Sequence, residues 1–251
     1  MSSKDIAGAT AIVTGASRGF GRGIAVALSG AGAHVVGVAR DGAQLHDLHT
    51  QLGGAFTPSV NDAADPTVAG QLIDAHRPSI IVLNAGAAPL SRALQHHTWQ
   101  SFSRNWDVDV RHVFHWLREA LLAPLDPGST VLTLSSGAAL RGSPLSGGYA
   151  GAKATIRFIT GYAAAESERN GLGIRFVSVL PQLTPATSLG AAAVAAYAKR
   201  AGTDTATFLQ QQGPALTPEQ AGKSIMGLAT DPAYTADAYL LTADGLTPLE
   251  S

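Results

Sequence analysis

The sequence predicts an α/β fold: a three-layer, doubly wound arrangement of parallel, roughly seven strands between two layers of helices. Three observations predict it. Short β-branched runs alternate with longer Ala/Leu-rich stretches, the rhythm of strands joined by crossover helices. Hydrophobic residues make up 45% of the 251 positions and charged residues 14%, with 28 glycines, a composition suited to a large buried sheet under alanine-rich helices. A glycine-rich turn, Thr14 to Gly21, lies between the first strand pattern and the first helical one.

In order along the chain, Ala11–Thr14, His34–Ala39, Ile80–Leu83, Thr130–Ser135 and Ile174–Leu180 are predicted as buried strands because each is a short apolar run bounded by turn residues. Helices are predicted at Gly19–Gly30, Asp41–Leu52, Pro66–His76, Thr98–Leu122, Gly147–Asn170 and Pro218–Thr230; several open on Asp, Thr or Pro, which cap or tolerate the unpaired N–H groups there. Pro181, Pro185 and a Thr/Ser cluster interrupt the alternation before a helical piece at Leu189–Ala201. An insertion of this size predicts a substrate lid over residues 183–213. No repeat or low-complexity linker divides the chain, so residues 1–251 are expected to form a single domain.

The formal net charge is -1 and no Lys/Arg run exceeds two residues, which argues against nucleic-acid and anionic-membrane partners. Cysteine is absent, excluding disulfides and thiolate zinc sites and suiting a reducing cytoplasm. Met1 to Thr10 lacks the apolar stretch of a secretory signal, and the most apolar window, Ile80 to Leu90, is broken by Asn84 and falls short of the roughly 18 residues a membrane helix needs. Three close histidine pairs, His46/His49, His96/His97 and His112/His115, lack a carboxylate at H-E-x-x-H spacing, so no metal site is expected.

The turn Thr14-Gly15-Ala16-Ser17-Arg18-Gly19-Phe20-Gly21 follows a strand and opens a helix, where backbone N–H groups and the helix N-terminus approach a pyrophosphate. Its glycines fall at 15, 19 and 21, outside the G-x-G-x-x-G spacing. The second strand ends at Arg40, beside the place where an acid would bind a ribose 2′-hydroxyl and a base a 2′-phosphate. With Arg18 it offers two guanidiniums to a phosphate dianion, favouring NADP(H) over NAD(H) unless Arg40 merely pairs with Asp41. Tyr149 and Lys153, four apart at a helix start, share one face, and a nearby cation favours the phenolate.

Together these residues resemble the short-chain dehydrogenase/reductase family, in the branch with chains of about this length. The glycine turn, Asp62 in Asp62-Ala-Ala-Asp-Pro, Asn84-Ala85-Gly86 and Ser136, thirteen residues before Tyr149, carry the resemblance in order along the chain. The resemblance implies a Rossmann-type fold in which Gly15, Ser17, Arg18, Gly19, Phe20, Gly21 and Arg40 serve the cofactor. It makes Asp62 the adenine-contacting acid and Asn84 and Gly86 a cofactor support, with Pro181 and Thr184 at the nicotinamide end. It makes Tyr149 the general acid or base, Ser136 the hydrogen-bond partner of the carbonyl oxygen, and Lys153 the residue that holds the nicotinamide ribose and lowers the tyrosine pKa. Asp244-Gly245 resembles the motif at the end of the family's seventh strand, implying a chain that runs through that strand.

Three positions depart from the family pattern. Leu83 replaces the first asparagine of Asn-Asn-Ala-Gly, Gln182 stands in place of a glycine, and Asp109 occupies the place of the helix asparagine that positions a relay water beside the lysine. Asp109 is an acceptor-only anion that is expected to bind a water or pair with Lys153, unless Asp107 is the matching residue. Trp99, Trp106 and Trp116 are expected to serve packing or subunit contacts, and the family implies a homodimer or homotetramer.

The expected function is NADP(H)-dependent reduction of a small, largely apolar carbonyl compound, or oxidation of the matching alcohol, in a pocket walled by Ala138, Leu140, Leu145 and Leu183–Ala201. Reduction of a C=N or activated C=C bond, and NADP(H) binding without turnover in a regulatory protein, are the alternatives.

Overall fold

The computed structural model describes residues 4–250. Eight strands form one sheet: β1 (Thr10–Thr14), β2 (His34–Ala39), β3 (Phe56–Val60), β4 (Ile80–Leu83), β5 (Thr130–Leu134), β6 (Arg175–Pro181), β7 (Ala238–Thr242) and β8 (Gly245–Pro248). Their order is β3-β2-β1-β4-β5-β6-β7-β8, with β1 to β7 parallel and β8 antiparallel to β7. The predicted doubly wound Rossmann-type fold is present, but the sheet has eight strands rather than seven, because the chain reverses at Gly245 (φ +116) and lays a short strand on the outer edge of β7.

The helices are α1 (Gly19–Gly30), α2 (Gly42–Leu52), α3 (Val68–His76), α4 (Trp99–Asn105), α5 (Arg111–Leu122), α6 (Ala138–Arg141), α7 (Tyr149–Arg169), α8 (Ser188–Ala201), α9 (Thr205–Gln210) and α10 (Pro218–Thr230). The predicted single helix over Thr98–Leu122 is instead α4 and α5 joined by a π-helical turn, Trp106–Val110. Asp41 is not inside α2 but caps it, its carboxylate accepting the Gln44 N–H at 3.1 Å. None of the helices in the described residues is long and apolar enough to cross a membrane.

Apolar packing forms on both faces of the sheet, as continuous β-branched strands require. On one face Ile24 and Leu28 of α1, Leu45 of α2 and Ile225 of α10 pack together; on the other, Ile73 of α3, Trp116 of α5 and Ile156 of α7 do so. Trp116 is fully buried and donates its indole N–H to the Ala63 carbonyl at 3.0 Å, anchoring the segment after β3 to α5. Helices α1 and α10 touch through bare backbone. A Cβ on Gly23 would lie 2.1 Å from the Pro218 carbonyl oxygen, and one on Gly222 would lie 2.3 Å from that of Gly23.

The strand order reverses between β1 and β4, so their C-terminal ends diverge into loops on opposite sides and leave a crevice there. The site lies along it.

Candidate active site

The crevice begins at the turn after β1. Gly15 (φ +67) and Gly19 (φ +55) adopt left-handed conformations that glycine reaches without strain. Gly21 has a different reason: a Cβ there would lie 2.1 Å from the Gly15 carbonyl oxygen and 2.5 Å from Asn84 Nδ2. Thr14 and Asn84 hold the turn. The Asn84 and Ala85 N–H groups donate to the Thr14 hydroxyl at 2.9 and 3.1 Å, and the Asn84 amide donates to the Thr14 and Gly15 carbonyls at 3.1 and 3.3 Å. Arg18 occupies the N-cap of α1 in an extended conformation and no side chain caps the helix, so its first-turn N–H groups face the crevice as anion donors.

A cavity of about 1130 Å³ follows the strand ends. It is bordered by every site residue named from the sequence except Gly21, which packs behind the turn. Arg18 and Arg40 are exposed on its wall and form no ion pair among the described residues. The expected alternative, an Arg40–Asp41 pair, is not formed, because Asp41 is occupied as the cap of α2. Asp62 follows β3 at the same wall, its carboxylate accepting the Ala64 N–H at 3.0 Å.

On the other side of the crevice, the two serines after β5 divide the work. The Ser135 hydroxyl donates to the Lys153 carbonyl at 2.7 Å and so fastens β5 to α7. Ser136 is half-buried, accepts the Ala138 N–H at 3.2 Å and borders the cavity with Tyr149, the first residue of α7. Lys153, one turn later, places Nζ 5.6 Å from the Tyr149 ring centre and donates to the Leu134 carbonyl at 3.0 Å.

Lys153 is 5% exposed, and Asp109, 1% exposed, sets Oδ2 3.4 Å from its Nζ. Asp109 rather than Asp107 therefore meets the lysine; Asp107 is exposed and accepts from Ser103. The other Asp109 oxygen accepts the Ala87 N–H at 2.7 Å, and the Asn105 amide donates to the Ala87 carbonyl at 2.7 Å. Gly86 makes room: a Cβ there would lie 3.0 Å from Asp109 Oδ2. The π turn that carries Asp109 is the kind of insertion that re-aims a side chain within a helix.

His112 sits on the same side, fully buried and bordering the cavity. Burial pushes its pKa down to about 3, the Lys153 charge adds to the effect, and the Ala85 carbonyl opposes it. Thr184 borders the cavity but its hydroxyl is engaged in the protein, donating to the Leu216 carbonyl at 2.8 Å and accepting the Ala186 N–H at 3.2 Å. Pro181 accepts the Gly137 N–H at 2.9 Å, linking the ends of β5 and β6.

Asn105 and His112 carry no functional expectation from the sequence, and Thr14 enters there only as the first residue of the turn, not as its clasp to Asn84. A signal existed for two of them: Asn105, Asp109 and His112 are spaced four and three apart, one face of a helix.

A family profile described as enoyl-(acyl carrier protein) reductase matches residues 15–245. The chain is 33% identical over 178 residues to the uncharacterized short-chain type dehydrogenase/reductase y4eK of Sinorhizobium fredii, covering 68% of this chain and 68% of that protein. It is 30% identical over 183 residues to the L-xylulose reductase of Bos taurus, covering 72% and 74%. The crystal structure of a 3-ketoacyl-(acyl-carrier-protein) reductase from Brucella melitensis complexed with NADH superposes with a TM-score of 0.78 at 23% identity, over 95% of this chain and 98% of that one, and shares the fold. With the glycine turn, the strand-end crevice and the Ser136, Tyr149 and Lys153 cluster in place, the chain belongs to the short-chain dehydrogenase/reductase family of oxidoreductases.

Proposed function

We propose that the protein is an NADP(H)-dependent reductase of a small ketone, or, in the reverse direction, a dehydrogenase that passes the hydride of the matching secondary alcohol to NADP⁺. The observation that carries this reading is the convergence of Ser136, Tyr149 and Lys153 on the same cavity as the open N-terminus of α1. A nicotinamide dinucleotide bound along the strand ends would supply or take up the hydride. Ser136 donates a hydrogen bond to the carbonyl oxygen, Tyr149 exchanges a proton with that oxygen, and Lys153 holds the ribose side of the cofactor. Gly15, Ser17, Gly19 and Phe20 form the pyrophosphate seat, supported by Asn84 and Gly86. Asp62 takes the adenine.

The phosphate preference rests on Arg18 and Arg40. Both border the cavity without an ion-pair partner among the described residues, while Asp41 is committed to α2. A 2′-phosphate matches two free guanidiniums better than a 2′-hydroxyl does.

Residues 183–213, with α8 and α9, act as a substrate lid. Its inner wall joins Leu140, Leu145 and Leu189 to the hydroxyls of Ser143 and Tyr197, which contact each other. This suits a compact substrate with an apolar body and polar ends; the L-xylulose reductase named above supports a carbonyl substrate. The family profile's description keeps reduction of an activated C=C bond as a second reading. The Asp109–Lys153 pair favours a third, cofactor binding without turnover, because it engages the lysine within the protein. The whole chain is proposed to act as one domain in the cytoplasm. It would assemble as a dimer or tetramer through the helices bearing Trp106 and Tyr149, where Phe114, Phe158 and Tyr162 are exposed.

The test is NADPH oxidation followed by absorbance against ketones, imines and enones. Ketone-dependent turnover that Tyr149→Phe lowers by about 10²–10⁴-fold is the expected result. NADPH binding without turnover on every substrate class would select the regulatory reading.

A further inference from the structure

The cavity has two ends. Arg18, Arg40, Asp41 and Asp62 border it near the glycine turn and the ends of β2 and β3, whereas Ser136 and Tyr149 border it beyond β5. Three chain segments contribute to this second end: residues 84–98 after β4, 135–148 between β5 and α7, and 182–213 after β6. Their charges are unbalanced, although the whole chain has a formal net charge of -1. They carry Arg92, Arg141, Lys199 and Arg200 but a single carboxylate, Asp204. That carboxylate is engaged in capping α9, where it accepts the Ala206 and Thr207 N–H groups at 2.9 and 3.0 Å.

Of these four cations only Arg141 borders the cavity. It is the last residue of α6, five positions after Ser136, exposed, and forms no ion pair among the described residues. The other charged groups on this side, Asp109 and Lys153, face each other at 3.4 Å. Two residues after Arg141 the Ser143 hydroxyl meets the Tyr197 phenol, which ties α8 to the loop that follows Arg141.

We propose that Arg141 is a specificity-determining residue that selects an anionic substrate, a ketone whose far end carries a carboxylate or a phosphate. The proposal rests on the reductase reading above and narrows it. A guanidinium presents a planar fork of donors that fits either anion in a two-point contact. Because these segments leave no carboxylate free to answer Arg141, their excess of positive charge draws an anion toward the pocket and disfavours a cation. Leu140, Leu145 and Leu189 then flank the carbon chain between its two polar ends. Ser136 and Tyr149 take the carbonyl, Arg141 takes the anion, and the substrate enters in one direction only.

The test compares matched pairs on the full chain with NADPH: a medium-chain oxo acid against its methyl ester, and a ketose phosphate against the free ketose. In at least one pair the anion is expected to show a kcat/KM about tenfold or more above that of its neutral partner. Arg141→Gln, a change at an exposed position, is expected to remove that advantage. Equal kcat/KM within both pairs overturns the proposal, and so does an Arg141→Gln enzyme that retains the advantage. A readout independent of turnover is calorimetric titration of the oxo acid and the ketose phosphate into the NADP⁺-saturated protein. Binding by the wild type that Arg141→Gln loses, with no carbonyl turned over, keeps the anion site and defeats the reductase reading alone. Absence of both binding and turnover overturns the anion site.

Discussion

The ammonium of Lys153 is nearly closed to solvent, and the Asp109 carboxylate 3.4 Å away compensates it there. Removing one member of a buried pair strands the other charge, at a typical cost of about 3–5 kcal/mol. Asp109→Ala is therefore expected to destabilise the fold by about that amount in urea unfolding, and more than Asp109→Asn, which keeps an acceptor for the Ala87 N–H. His112 gives a pH signature of its own. Its folded pKa, about 3, lies below the ordinary value of 6.5, so the unfolded chain binds a proton that the native one does not as pH falls between those values. Stability should drop by roughly 1.4 kcal/mol per pH unit in that window, or about 2 kcal/mol between pH 7 and 5. His112→Phe should flatten that part of the curve. At the far wall, Arg40→Ala is expected to raise KM for NADPH by about tenfold or more and leave that for NADH nearly unchanged; equal effects on both would sink the two-arginine argument. At this scale the sequence was most legible where an ordered set of motifs marks a position, as at Ser136, Tyr149 and Lys153, which the structure brings to one cavity. It was least legible where a role depends on what lies across the fold: nothing local to Asn84 shows that its amide clasps the turn after β1.

Among the elements, the glycine turn is fixed by contacts that leave no space. Gly21→Ala places a methyl against the Gly15 carbonyl, so β1, α1 and β4 must separate. Loss of measurable NADPH binding together with a lower Tm is expected, and a variant that binds NADPH normally would contradict the geometry. Strands and helices with clean periodicity, β1, β2, α1 and α10, follow directly from their patterns. The misses have specific causes. β3 contains Pro58, which argues against a strand interior but is tolerated because β3 is an edge strand. β8 is also a short edge strand, ending at Pro248. α6 spans four residues, too few to show a period. The π turn between α4 and α5 leaves the run of helix-compatible residues unbroken, so the pattern through Trp99, Trp106 and Trp116 reads as one helix. These tryptophans differ accordingly: Trp116 is core, whereas Trp99 is 78% exposed.

At the level of the whole molecule, the crevice gathers groups from both halves of the sheet, so cofactor binding should stabilise the entire fold. A ligand at a hundred times its Kd adds about 2.7 kcal/mol, which for a chain of this size raises Tm by roughly 5–10 °C. NADP⁺ should give the larger shift than NAD⁺ at equal concentration in a thermal melt. The bare-backbone contact of α1 with α10 has a temporal consequence. Gly23 and Gly222 are separated in sequence by β2 to β6, so the helix whose N-terminus opens onto the cavity gains this neighbour only after those strands have been made. Nascent chains arrested before Pro218 should fail to retain NADPH even though every residue of the glycine turn has been made.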